Sequence, residues 1–285
     1  MEQLELKISF PFRLDGKREQ WPECIFHYNS QMKALYTEAL KKELAAASED
    51  AEDACIRAVT LEGCFFLMEY EQLMDVAQTV RKHFTLAEDV FWSAHCEPGR
   101  LSTGILNFCK NVKMKELCLD YRTSSAEEAK KLGYPPARTE MQHTKQVLEH
   151  SVFTDFTIAI GGAGCNQTEE IWSETLRDVG GFAPVAVRLA ADTSEQNIEI
   201  ATKKLAGFGY KSYIPETDSS ENAQNPSKVF LRHGRTFPVV PLPNGTIGCG
   251  LGAITRLDGM ACQNTLEFPL YLEASDQIAR IAHTI

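Results

Sequence analysis

Apolar and polar positions along this chain follow two periods in turn, a short one suited to strands and a longer one suited to helices. The run LELKISF (4–10) fits a first strand. Asn29-Ser30 can cap a helix that carries Met32, Leu35, Ala39 and Leu40 on one face through about residue 46. The acidic, alanine-rich AAASEDAEDA (45–54) reads as a solvated linker. Further strand patterns fall at 55–61 (CIRAVTL), 89–95 (DVFWSAH), 115–120 (KELCLD), 152–160 (VFTDFTIAI) and 184–191 (PVAVRLAA). Helical patterns lie between and after them, near 70–83, 101–110, 125–132, 138–150 and 194–206, with one more opening at Thr168. Thr168 is a good cap, and Glu169 and Glu170 place favourable charge in that helix's first turn.

Six strand–helix units in this order predict a parallel sheet. After residue 207 the chain becomes rich in Gly, Pro and Asn, with short strand candidates at 210–214, 236–240 and 246–248. The expected fold is α/β: a partial (β/α)6 TIM-like barrel over 1–206, with a small α+β extension over 207–285 packed on it. A doubly wound sheet is the runner-up, because both architectures bury parallel strands on two faces.

Composition narrows the function classes. At 285 residues and 44% hydrophobic, the chain can bury a substantial core. With 39 acidic against 29 basic residues and a net charge of −10, no general nucleic-acid binder is expected. No apolar run approaches membrane-spanning length, and MEQLELK lacks the basic and apolar regions of a secretory signal. Nine cysteines, an odd number spread along the chain, make a poor disulfide framework. A reducing cytoplasm is the expected location.

Several segments carry a resemblance. In LKISFPFRLDGKREQWPECIF (6–26) a strand ends in Pro11-Phe12 and runs into a loop with Arg13, Trp21 and Cys24. Later come Leu61-Glu62-Gly63-Cys64-Phe65, SAHCEPGRL (93–101), Cys118 to Thr123 (CLDYRT), QTEEIWSETL (167–176), Gly209-Tyr210 and IGCGLGAITRLDGMACQNT (247–265). Taken in order over most of the chain, these resemble the oxygen-independent coproporphyrinogen oxidase branch of the radical S-adenosylmethionine (SAM) enzymes. The resemblance implies the radical SAM type of partial barrel. In that family PF is followed by C-x3-C-x2-C, which holds a [4Fe–4S] cluster.

Here Arg13 and Trp21 stand at two of those cysteine positions and only Cys24 remains. Neither Arg13 nor Trp21 can ligate iron, which such clusters bind through thiolates. The family's G-G-G-T-P becomes Leu61 to Phe65 with only Gly63 kept, its E-A-N-P glutamate falls on His95, and its S-x-G-x-Q-S becomes Cys118 to Thr123. Asp120 and Arg122 replace its glycine and glutamine. The Q-T-x-x-x-W-x-x-T-L helix start is by contrast retained. Positions that the family turns toward cluster and SAM are replaced together, while packing positions persist.

Cys24, Cys64, His95, Cys96 and Cys165 each follow a predicted parallel strand, and strand ends of a barrel converge on one rim. They are the candidate metal ligands for a rebuilt site, although no C-x2-C or H-x3-H spacing organises them. Separate buried cysteines are the plainer reading. Arg13, Trp21, His95, Asp120, Arg122 and Arg188 are the ligand-binding candidates, since arginine forks suit carboxylates. Arg188 either pairs with Asp120 or Asp155 or contacts a ligand, and Trp21 either plugs a vacated cavity or stacks on a planar ligand. GGAG (161–164) reads as a tight turn, and GCGLGA (248–253) as close backbone packing.

The expected function is binding or regulation through a small carboxylate-bearing ligand such as a tetrapyrrole, without conventional radical SAM activity. Two alternatives stay open: an oxidoreductase with a rebuilt metal or iron–sulfur site, and an architectural subunit that binds a partner. No resident cofactor is expected; haem, SAM and an iron–sulfur cluster are the alternatives.

Overall fold

A computed structural model describes residues 2–11, 30–131, 137–150, 155–162, 168–213, 228–238, 241, 243–276 and 283–284. The first strand, β1 (Glu2–Phe10), turns Leu4, Leu6, Ile8 and Phe10 into the core while Glu5 and Lys7 stay partly exposed on its other face. It pairs in parallel with β2 (Ala54–Gly63), Leu6 opposite Val59 and Ile8 opposite Leu61. Leu61 is therefore a core residue beside Ile8, and its neighbour Glu62 reaches Lys7 across the strand pair at 3.3 Å.

The remaining elements, in order, are α1 (Ser30–Ala47), α2 (Tyr70–His83), β3 (Leu86–Cys96), α3 (Thr103–Asn111), β4 (Glu116–Arg122), α4 (Ala126–Lys131), α5 (Ala137–Glu149), β5 (Thr157–Ile160), α6 (Glu169–Phe182), β6 (Ala186–Leu189) and α7 (Glu195–Gly207). Then follow β7 (Tyr210–Tyr213), β8 (Val229–Arg232), β9 (Gly245–Cys249), β10 (Ile254–Leu257), β11 (Met260–Gln263), α8 (Phe268–Ala274) and β12 (His283–Thr284). The chain divides into two compact units: Met1–Ala94 with Asn107–Lys115 and Pro241–Ile285, and His95–Leu106 with Glu116–Val240.

In the first unit the strands run β12-β11-β10-β9-β1-β2-β3, and in the second β4-β5-β6-β8-β7. The pairs β1–β2, β2–β3, β4–β5 and β5–β6 are parallel and join consecutive strands. A doubly wound sheet must reverse its strand order at a switch point, and neither unit does so among these strands. Antiparallel strands complete a mixed sheet: β8 pairs with β6 and β7, and β10 with β9 and β11.

The tail differs from expectation in its details. Residues 236–238 form no strand; Val229–Arg232 supplies the pairing partner for β6 instead. The β10–β11 hairpin turns at Asp258-Gly259, both at positive φ (51° and 76°), the twist that matches paired strands. The acidic linker is shorter than its composition suggests, because α1 continues to Ala47 and β2 starts at Ala54.

One buried network ties the tail to α1 in the first unit. The helix stripe that faces inward includes Tyr36, Leu40, Leu44 and also Glu43, whereas Leu35 lies half exposed. The Glu43 carboxylate accepts from the Gly250 backbone N–H (2.7 Å), the Tyr271 hydroxyl (2.6 Å) and the Asn264 amide. Tyr36 stacks on Tyr271 at 5.2 Å, donates to the Ser9 carbonyl at 2.6 Å and accepts from Leu251 N–H at 3.1 Å. The GCGLGA segment is packed backbone to backbone: a Cβ on Gly250 would sit 2.6 Å from the Ser9 carbonyl oxygen. Burial pushes the Glu43 carboxyl up to about 7 despite its three donors.

Candidate functional site

In the second unit, alternate residues of β4 face opposite ways. Leu117, Leu119 and Tyr121 form the buried face that meets α6, where Tyr121 donates to Asp178 at 3.0 Å and packs against Phe182. Glu116, Cys118 and Asp120 form the other face. Parallel pairing sets Thr157 beside Cys118, Ala159 beside Asp120, and Arg188 beside Ala159. A polar face thus crosses β4, β5 and β6.

At one end of this face Arg188 forks onto Glu116, Nη2 donating to Oε2 at 2.8 Å while Nε lies 2.8 Å from Oε1. Thr157 also donates to Glu116 at 3.2 Å, and the Arg188 guanidinium sits 5.0 Å over the Phe237 ring. Arg188 is therefore engaged by Glu116 and not by Asp120 or Asp155. Asp155 pairs instead with Arg235 at 3.2 Å.

Toward the carboxyl ends of the strands, His95 Nδ1 lies 3.1 Å from Asp120 Oδ1. Cys118, fully buried, is the third member: one ligand atom from each of His95, Cys118 and Asp120 lies within 4.8 Å of the other two. The Asp120 carboxylate raises the His95 pKa, and the Cys118 sulfur adds to the rise, which favours the protonated imidazole. Burial pushes the Cys118 thiol up. Arg122 closes β4 at positive φ (62°), with Nη1 3.4 Å from the Gly161 carbonyl. Gly162 leaves space for that guanidinium, since a Cβ there would stand 2.4 Å from Nη1.

Cys96 does not join this group. Cys96 follows His95 directly, so strand alternation sends it to the opposite, buried side, where its thiol reaches the Glu97 carbonyl at 3.4 Å. Cys64 lies after β2 in the first unit, partly buried. Arg13, Trp21, Cys24 and Cys165 lie outside the described residues. Sequence reasoning did not single out Cys118 as a potential ligand because it sits inside a strand rather than after one; its i,i+2 spacing to Asp120 was the available signal.

The retained helix start has a packing explanation. Thr168 caps α6, and Trp172, Thr175 and Leu176 are buried. Trp172 donates to the Asn197 carbonyl at 2.7 Å, and Thr175 accepts from Ser124 N–H at 3.0 Å.

No protein-family model and no curated protein matches the chain. Among solved structures, coproporphyrinogen III oxidase (HemN) from Escherichia coli, a radical SAM enzyme, is similar over 97% of this chain and 70% of its own, with TM-score 0.69 at 16% identity. The α/β fold with its mixed sheet resembles the fold of that enzyme. HydG, a maturase of the [FeFe]-hydrogenase, covers 71% of this chain and 49% of its own at TM-score 0.44 and 8% identity, too little to carry an argument. The cluster of that scaffold does not fit the residues described here. The one group of potential metal ligands among them is mixed and offers a single sulfur, whereas such clusters are held by several thiolates. No helix among the described residues is long and apolar enough to cross a membrane.

Proposed function

We propose that this chain binds a small carboxylate-bearing ligand of the tetrapyrrole class on a radical SAM-type scaffold, in a binding or regulatory role, and does not perform cluster-dependent cleavage of SAM. The observation that carries this reading is that His95 and Arg122 stand at the carboxyl ends of their strands and belong to the same unit. Strand ends are where α/β folds of this kind hold their ligands. An arginine fork is well suited to a propionate. Coproporphyrinogen, the compound in the name of the structurally similar enzyme, bears such groups, which supports the ligand class. Arg188 and His95 each have a carboxylate partner, Glu116 and Asp120, but the His95 side chain is 57% exposed against 24% for Arg188, so the direct contacts are assigned to His95 and Arg122. Arg13 and Trp21, outside the described residues, are further candidates.

The test is a titration of coproporphyrin, haem and SAM with chelator present, read by porphyrin absorbance and by calorimetry. Saturable porphyrin binding should weaken at least tenfold in Arg122→Ala, because a hydrogen bond to a charged group contributes about 1.5–3 kcal/mol. Absence of saturable binding, or binding indifferent to both Arg122→Ala and His95→Gln, would reject the reading.

A further inference from the structure

We infer that His95, Cys118 and Asp120 form a mononuclear site for a divalent transition cation of the zinc type, held by one nitrogen, one sulfur and one oxygen. This goes beyond organic-ligand binding and does not depend on it.

The placement comes from strand geometry. Cys118 and Asp120 are two apart on β4 and so share a face, and His95, which belongs to the same unit, meets Asp120 on that face. Zinc binds sulfur at about 2.3 Å and nitrogen or oxygen at about 2.0–2.2 Å, so two ligand atoms on one tetrahedral ion lie roughly 3.2–3.6 Å apart. The observed 3.1 Å between His95 Nδ1 and Asp120 Oδ1 is already close to that spacing. The three ligand atoms all lie within 4.8 Å of one another, so small side-chain rotations close the remaining gap.

Charge balance points the same way. With Cys118 as thiolate, Asp120 as carboxylate and His95 neutral, the donors carry two negative charges and match a divalent cation. Binding displaces the Cys118 thiol proton and the proton on the His95 ring nitrogen to solvent, as metal binding to such ligands requires. The mixed N, S and O set suits borderline metals and not magnesium or calcium, which prefer oxygen alone. The His95 side chain is 57% exposed, whereas Cys118 is fully buried, so the ion would be anchored from within the sheet and open to solvent on the histidine side. Three protein ligands with one open position is the arrangement of zinc sites that accept a further ligand.

The test uses the full chain, stripped of metal and titrated with Co²⁺ and then Zn²⁺, with no organic ligand present. Co²⁺ should bind at one equivalent and give a near-ultraviolet thiolate-to-cobalt charge-transfer band, which Zn²⁺ then abolishes. Cys118→Ser should remove the band. His95→Gln, a change at an exposed side chain that leaves the fold intact, should weaken binding by more than the roughly 10–100-fold seen when only groups around a metal ligand are disturbed. Asp120→Asn should act likewise. No band in the unmodified chain would overturn the site. So would a band of unchanged intensity in Cys118→Ser, which would assign the sulfur to another cysteine, or unchanged affinity in folded His95→Gln. A porphyrin titration that fails would leave this result standing, and the reverse also holds.

Discussion

Replacing Glu43 by Gln should flatten a pH dependence that the native chain carries in its first unit. Glu43 is completely buried, and burial raises its carboxyl to about 7 in the folded state. The same group in an unfolded chain titrates near 4.3. Between those values the folded protein holds a proton that the unfolded chain has released, so stability falls as pH rises through this window. The difference is somewhat under three pKa units, or just under about 4 kcal/mol at 1.36 kcal/mol per unit, of which about 3 kcal/mol falls between pH 4.5 and 8. Most of that loss should be complete just above pH 7.

Glutamine has no such proton, so its cost or benefit is fixed. It keeps one carbonyl acceptor but sets an amide among the Gly250 N–H, Tyr271 and Asn264 donors. That mismatch contributes an offset that does not vary with pH. Urea denaturation from pH 4.5 to 8, followed by fluorescence of the buried Trp92 and Trp172, separates the two contributions. Relative to the native chain, Glu43→Gln should gain about 3 kcal/mol across the range, whatever its offset at pH 4.5. A difference that stays flat to within about 0.5 kcal/mol would show that Glu43 does not titrate as its burial requires.

Two further changes test the packing. Arg188→Ala strands the Glu116 carboxylate in a buried setting, and removing one partner of such a pair costs roughly 3–5 kcal/mol; Arg188→Met with Glu116→Gln should recover most of it in thermal denaturation. Recovery of nothing would mean the fork is not what orders that face. Gly250→Ala drives a Cβ to 2.6 Å from the Ser9 carbonyl at φ +109°, and should cost at least about 1–3 kcal/mol in the same assay. A change under about 0.5 kcal/mol would mean the tail is not packed this tightly against β1.

Much of the fold was legible because the two hydrophobic periods are clean in the strands and helices of the alternating units. β1, β2, β4 and α7 fall within a residue or two of their predicted places. The hairpin at Asp258-Gly259 was not among the predicted elements, although Asp-Gly between short apolar runs is a strong turn signal. The buried face of α1 was not legible. Its true stripe contains Lys33, which reaches the Leu67 carbonyl at 3.0 Å, and Glu43, and no periodicity argument places charges inside without knowing their partners. At the site, His95 and Asp120 stood out in the sequence as departures from the family pattern, whereas Cys118 did not. That they meet is a property of strand register, which sequence alone leaves open. Arg188 needed a carboxylate, and Glu116, two strands away and 72 residues earlier, lay beyond any local signal.

The most direct measurement is anaerobic reconstitution with iron and sulfide, followed by quantitation of both and a visible spectrum. If the resemblance in the sequence is right, with Arg13 and Trp21 standing where the family has cysteines and Cys24 alone kept, the chain should retain no stoichiometric iron or sulfide and show no cluster absorbance. Retention of about four iron and four sulfide per chain, with SAM cleavage on reduction, would contradict it.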